Sequence, residues 1–182
     1  MTAAHQQERL SFTERQKWFL AGFIEGEGSV CISIKPHPTT KFGFCVDPEF
    51  FLYQHRAYPQ MLNFAKELFG TGAIFPKQGN ERVLVYAITS RRCISEKVVP
   101  FLRTYMISAP RKAIYDRFCE IVEMIERKEH HTPQGMVRIA EMAYALNPVA
   151  KGKERKRSLQ EVLDRILRDY TPDSSAPAPE KI

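Results

Sequence analysis

Cysteine is scarce and scattered: Cys31, Cys45, Cys93 and Cys119 are too far apart to read as a zinc site or a disulfide frame. Set mostly among apolar neighbours, they read as buried thiols of a reducing compartment. No apolar run is long enough to span a membrane, and the polar stretch Met1 to Leu10 lacks the apolar centre of a secretory signal. The chain is therefore expected inside the cell, in a prokaryotic cytoplasm or an organelle interior, and is not expected to be secreted. A strong charge of one sign is also missing. Lys and Arg number 27 against 21 Asp and Glu, a formal +6, which suits a polyanionic partner without establishing one. What remains is ordinary for a globular protein: 182 residues and 43% hydrophobic side chains, enough for one domain with a substantial core.

One stretch breaks a local rule. Trp18, Phe19, Leu20, Phe23 and Ile24 are crowded at helical spacings, so a helix runs into Glu25-Gly26-Glu27-Gly28. Its last turn carries two carboxylates, where the backbone dipole favours cations, and two glycines that stop the helix. A bound cation would offset the misplaced charge. Gly22 and Gly26, four residues apart, also form a smooth stripe that lets a second backbone come close. If that backbone is the same helix of a second copy, two acidic ends meet at the foot of the pair.

The remainder alternates between strand and helix patterns. Residues 1 to 11 read as frayed, and Thr13 with Gln16 makes a capping box for the first helix. Val30, Ile32 and Ile34 face a core, whereas Ser29, Cys31, Ser33 and Lys35 face away. After the turn Pro36 to Thr40, a second strand is expected from Lys41 to Tyr53, with Phe44, Val46, Phe50 and Leu52 inward and Pro48 marking an edge or bulge. A helix from Pro59 to Phe69 is stopped by Gly70. Strands over 72–77 and 82–89 follow, joined by Gln78 to Glu81. Helices are expected over Arg91 to Tyr105, Ser108 to Lys128, Thr132 to Asn147 and Ser158 to Asp169. His130 and His131 read as surface residues. Val149 to Arg157 is a basic connector, a phosphate-binding segment or a solvated linker, and the Pro/Ser/Ala-rich end from Thr171 is expected to be disordered.

Leu20-Ala21-Gly22-Phe23-Ile24-Glu25-Gly26-Glu27-Gly28 resembles the signature of the LAGLIDADG homing endonucleases, in the variant with two glutamates. The resemblance covers Trp18 to Ile125. It implies an α+β fold with an αββαββα core: a twisted antiparallel four-stranded sheet with helices on one face, plus extra C-terminal helices. The core is expected over 12–128, a helical extension over 129–170 and a disordered tail over 171–182. The motif occurs once, and in this family a chain with one motif acts as a homodimer, here through Ala21, Gly22, Phe23 and Gly26.

The implied activity is a magnesium-dependent, staggered double-strand cut in a long pseudo-palindromic DNA target, associated with intron homing. Glu27 matches the metal ligand, with the Gly26 carbonyl beside it; Mg2+ or Mn2+ would support cleavage and Ca2+ would bind without it. Glu25 reads as structural. Gln54 matches a glutamine that positions water, with an exposed strand-end residue as its other reading. The family's basic residue falls in the region of Arg111 and Lys112, although Ala109 and Pro110 depart from its Lys-rich pattern. On the open sheet face, Ser33, Lys35, His37, Thr39 and Lys41 read as one DNA-contacting band, and Lys77, Gln78 and Arg82 as a second. Asp47 and Glu49 work mildly against a uniformly basic face. The rival reading is a non-catalytic binder on the same scaffold, an RNA-splicing maturase with intron RNA as partner or a transcription regulator.

Overall fold

Local signals explain how the first helix starts and where it ends. In the computed structural model, which describes residues 12–146 and 156–168, Thr13 caps α1 (Glu14–Glu27). The Thr13 backbone N–H donates to Gln16 Oε1 at 2.9 Å and Gln16 N–H to Thr13 Oγ1 at 3.3 Å, so the expected capping box is present. The expected frayed start and disordered tail lie outside the described residues, as does the basic connector apart from Lys156 and Arg157. α1 buries Leu20, Ala21 and Ile24 and passes directly into β1 (Gly28–Pro36).

β2 (Phe44–His55) pairs antiparallel with β1, from Gly28 opposite Leu52 to Pro36 opposite Phe44. It begins later than Lys41, because Gly43 donates its N–H back to the Thr40 carbonyl at 2.9 Å and closes a turn there. The inward set is as expected: Phe44, Val46, Phe50 and Leu52 are buried. β3 (Ala73–Lys77) and β4 (Asn80–Ile88) complete a sheet of order β1-β2-β4-β3. Their turn is only Gln78-Gly79, shorter than the expected Gln78 to Glu81. Pairing of β4 with β2 covers Phe50 to His55, so Pro48 sits where β2 has one neighbour and no ladder bond is lost on the open side.

α2 (Gln60–Phe69) buries Leu62, Ala65 and Phe69, and Gly70 ends it in the left-handed conformation at φ 58°. Lys97 donates to the Phe69 carbonyl at 2.8 Å, a cation on the negative end of that helix. The single helix expected over Arg91 to Tyr105 is interrupted: α3 (Arg91–Cys93) runs through a π-helical turn, Ile94–Val98, into α4 (Val99–Tyr105). Pro100 accounts for the interruption, since it has no N–H to donate and its ring crowds the carbonyl four residues back.

α5 (Ala109–Glu126) lays Tyr115, Phe118, Ile121, Val122 and Ile125 against the sheet core. α6 (Pro133–Leu146) and α7 (Leu159–Arg168) follow. Met136, Ile139, Ala140, Ala143, Val162 and Ile166 join the same hydrophobic cluster as the sheet and α1. Arg165 of α7 lies over the Phe44 ring at 5.1 Å, tying the last helix to the first hairpin. The helices after residue 128 therefore add to one continuous core. Among the described residues the helices pack on the face that carries Phe50 and Leu52, and Arg91 of α3 reaches round to Cys45 and Asp47 on the opposite face. No helix among them is long and apolar enough to cross a membrane.

Candidate active site

The acidic end of α1 meets the sheet at one point. Glu27 is exposed there, and Gly26 to Ser29, Tyr53 to His55, Lys77 and Val83 line an open depression of about 430 Å3. The last carbonyls of any α-helix lack an intrahelical donor, and that of Gly26 is among them. Carboxylate and carbonyl oxygens are the donors a hard divalent cation prefers. Among the described residues no group of three His, Cys, Asp or Glu side chains could hold a metal. The Glu27 carboxylate and the Gly26 carbonyl are oxygens of the type such a cation takes, fewer than the roughly six it requires.

Gln54 reaches the same depression from the helix-facing side of β2, since it pairs with Leu84 in the parity of Phe50 and Leu52. Its Oε1 accepts from the Met61 N–H at 3.2 Å, in the first turn of α2. That bond fixes the amide orientation and leaves the Nε2 hydrogens for the depression. Tyr53 and His55, which sequence patterning did not single out, lie on the open face at this end. The period-two alternation from Cys45 onward was the signal that could have found them.

A brace lies beneath the junction. Tyr115, 1% exposed, donates to the Ile24 carbonyl at 3.0 Å, and Gly28 N–H donates to the same oxygen. Arg111 donates to the Tyr115 hydroxyl at 2.8 Å and to the Gly28 carbonyl. Burial raises the Tyr115 pKa against the lowering effect of Arg111, so the phenol stays protonated and keeps its donor. A Cβ at Gly28 would collide with the Ile24 carbonyl oxygen, so only glycine permits this turn. Arg111 is therefore under the floor of the site and not among its lining residues. Lys112 is engaged elsewhere, donating to Asp116 at 2.6 Å in a surface network with Arg103 and Glu123.

The expected interface residues divide. Gly22 and Gly26 are exposed, and a Cβ added to either would meet nothing within 4 Å. Ala21 is 4% exposed and Phe23 is half-buried against the core. Beside Gly22 a small cavity lined by Trp18, Glu25 and Tyr105 to Ser108 leaves Trp18 44% and Ile107 72% exposed. Glu25 Oε2 is buried there without a hydrogen-bond partner among the described residues.

The expected DNA-contacting bands are only partly continuous. Ser33 and Lys35 lie on the open face, and His37 and Thr39, bonded to each other at 3.0 Å, are exposed in the following turn. Lys41 turns away, donating to the His131 carbonyl at 3.3 Å. Lys77, Gln78 and Arg82 are exposed around the second hairpin. The two acids are not loose negative charges. Glu49 accepts from Lys35 at 3.0 Å and Asp47 from Arg91 at 3.0 Å. His130 is half-buried, not a plain surface residue: with His131, Arg91, Lys41 and Phe42 it lines a separate cleft of about 470 Å3.

Known proteins resemble the chain in sequence and in overall fold. The family model for LAGLIDADG endonuclease matches residues 20–122. DNA endonuclease I-CeuI of Chlamydomonas moewusii is 38% identical over 135 residues, 72% of this chain and 62% of that protein. The chain thus spans under two thirds of that relative's length. Homing endonuclease I-ApeII of Aeropyrum pernix is 29% identical over 150 residues, 81% of this chain and 88% of its own. Among solved structures, the intron-encoded homing endonuclease I-CeuI complexed with DNA superposes with a TM-score of 0.78 at 33% identity, covering 86% of this chain and 78% of that one.

Proposed function

The chain belongs to the LAGLIDADG endonuclease family, and from that premise we propose that it is a homodimeric, magnesium-dependent homing endonuclease. Its product would be a staggered double-strand cut in a long pseudo-palindromic target. The observation that carries this reading is the exposed Glu27 carboxylate in an open depression that it shares with Gln54, His55 and Lys77 of the sheet. Residues 12–128 form the nuclease core in this account, and α6 and α7, within 129–170, buttress it.

Each part of the chain then has a task. The glycine stripe brings two copies of α1 together, so that two Glu27 carboxylates stand near one duplex. The oxygens of Glu27 and Gly26 would hold the cation, which when bound would acidify an attacking water and neutralise charge on the phosphoryl group. Manganese would substitute, and calcium would permit binding without cutting. Gln54, its oxygen held by α2, donates from Nε2 to orient the water. Arg111 and Tyr115 keep the end of α1 in place beneath. Ser33, Lys35, His37 and Thr39 on one side and Lys77, Gln78 and Arg82 on the other would face bases and phosphates, and Lys41 phosphates nearer α6.

The test is selection of cleaved sites from a randomised duplex library. Two subunits per duplex, one pseudo-palindromic site with overhanging ends and no product in EDTA are expected. Binding to that site without any cut in magnesium or manganese would instead identify a non-catalytic binder on this scaffold.

A further inference from the structure

The open face of the sheet changes character along its length. Register places Tyr53, Val85 and Phe75 in one cross-strand row, because Val85 pairs with Tyr53 on one side and with Phe75 on the other. The adjoining row is Phe51, Ala87 and Ala73, with Ser29 opposite Phe51. Val85 and Ala87 are 5% and 7% exposed, yet neither belongs to the main hydrophobic core. They are covered on the far side of the sheet, where the Phe51 and Tyr53 rings lie 6.4 Å apart. Phe75 remains 44% exposed above them. The charged pairs Lys35–Glu49 and Arg91–Asp47 lie farther along β1 and β2, away from Glu27.

Apolar side chains have one partner in a major groove, the C5 methyl of thymine. A G·C pair set against this row would leave its donor and acceptors facing carbon, with the penalty of unmade hydrogen bonds. Charge around the row suits the same occupant. Lys77 lies over the Tyr53 ring at 5.2 Å, and Arg82 is exposed at the same hairpin. Burial raises the Tyr53 pKa, so its ring meets the duplex uncharged.

We infer that Phe75, positioned by Tyr53 and Val85, is a specificity-determining residue that reads thymine methyl groups in the part of the target adjoining the cut. This rests on the DNA-cleaving reading above. Phe75 is the exposed member and makes the contact, while Tyr53 and Val85 set its position. Base pairs farther out then fall to the hydrogen-bonding side chains of the β1–β2 ribbon.

The experiment replaces thymine by uracil, one position at a time, in the selected target duplex. Affinity of the full chain is measured for each. Removing one buried methyl is expected to weaken binding about four-fold at the positions facing Phe75. Phe75→Ser should bring that ratio to one while retaining duplex binding, and Phe75→Leu should restore much of it. Wild-type binding that is indifferent to uracil at every position would overturn the inference and leave the DNA reading intact. So would a Phe75→Ser protein with the wild-type ratio. Failure to bind any selected duplex would overturn the underlying reading itself.

Discussion

Substituting Gly22 separates the stability of the subunit from the assembly of two. In the isolated chain an alanine methyl at Gly22 or Gly26 meets no atom within 4 Å. Gly22 lies inside α1 (Glu14–Glu27), where glycine is about 0.8–1 kcal/mol less favourable than alanine. Gly22→Ala should therefore stabilise the subunit by about 1 kcal/mol, which for a chain of this length raises Tm by about 2–4 °C. In the proposed dimer the same methyl enters the helix contact from both sides, where backbones need to approach. Gly22→Leu, also a good helix former, enlarges the conflict without changing the helix argument. The assay pairs thermal unfolding across a range of protein concentrations with sedimentation on and off duplex DNA. A stabilised subunit that no longer pairs is the expected outcome. A Gly22→Leu protein that still sediments as a dimer and cuts at the wild-type rate would refute the glycine contact.

Two further consequences concern the brace and the second cleft. Tyr115→Phe removes the donor to the Ile24 carbonyl and the acceptor for Arg111, while Gly28 N–H still serves that carbonyl. The loss should be about 1–2 kcal/mol, read as a lower urea midpoint with an unchanged slope, and an unmoved midpoint would count against the brace. His130 has its pKa lowered by burial, with the neighbouring His131 and Arg91 acting in the same direction. The unfolded state therefore takes up the proton first, and His130 contributes stability above its unfolded pKa, about 6.5, that declines as pH falls below it. His130→Gln should flatten the stability profile between about pH 7 and 5; an identical slope would sink the assignment.

Much of the molecule was legible because period and caps carry the information. The capping box of Thr13, the alternation through β1 and β2 and the stop at Gly70 all follow from local chemistry. The interruption at Ile94–Val98 did not, because a proline in the first turn of a helix and one that widens the ladder behind it look alike in sequence. At the candidate site, the nine-residue motif singled out Glu27, which is exposed at the end of α1, since only the misplaced acids distinguish this helix end from any other. Arg111 was visible as a cation near a helix start, but its use under the Gly28 carbonyl depends on Tyr115 and on residues 83 positions away in the chain. Tyr53 and Phe75 escaped notice because aromatic residues in strands usually mark a core. Pairing with Val85 on the open face is a tertiary fact.

The central claim is that each subunit brings one Glu27 to the cation beside a scissile phosphate. Glu27→Gln keeps the size and polarity of an exposed side chain while removing its charge and one acceptor oxygen. Cleavage of the selected duplex in magnesium should fall below detection, with duplex affinity in calcium unchanged. A variant that cuts as fast as the wild type would contradict the account.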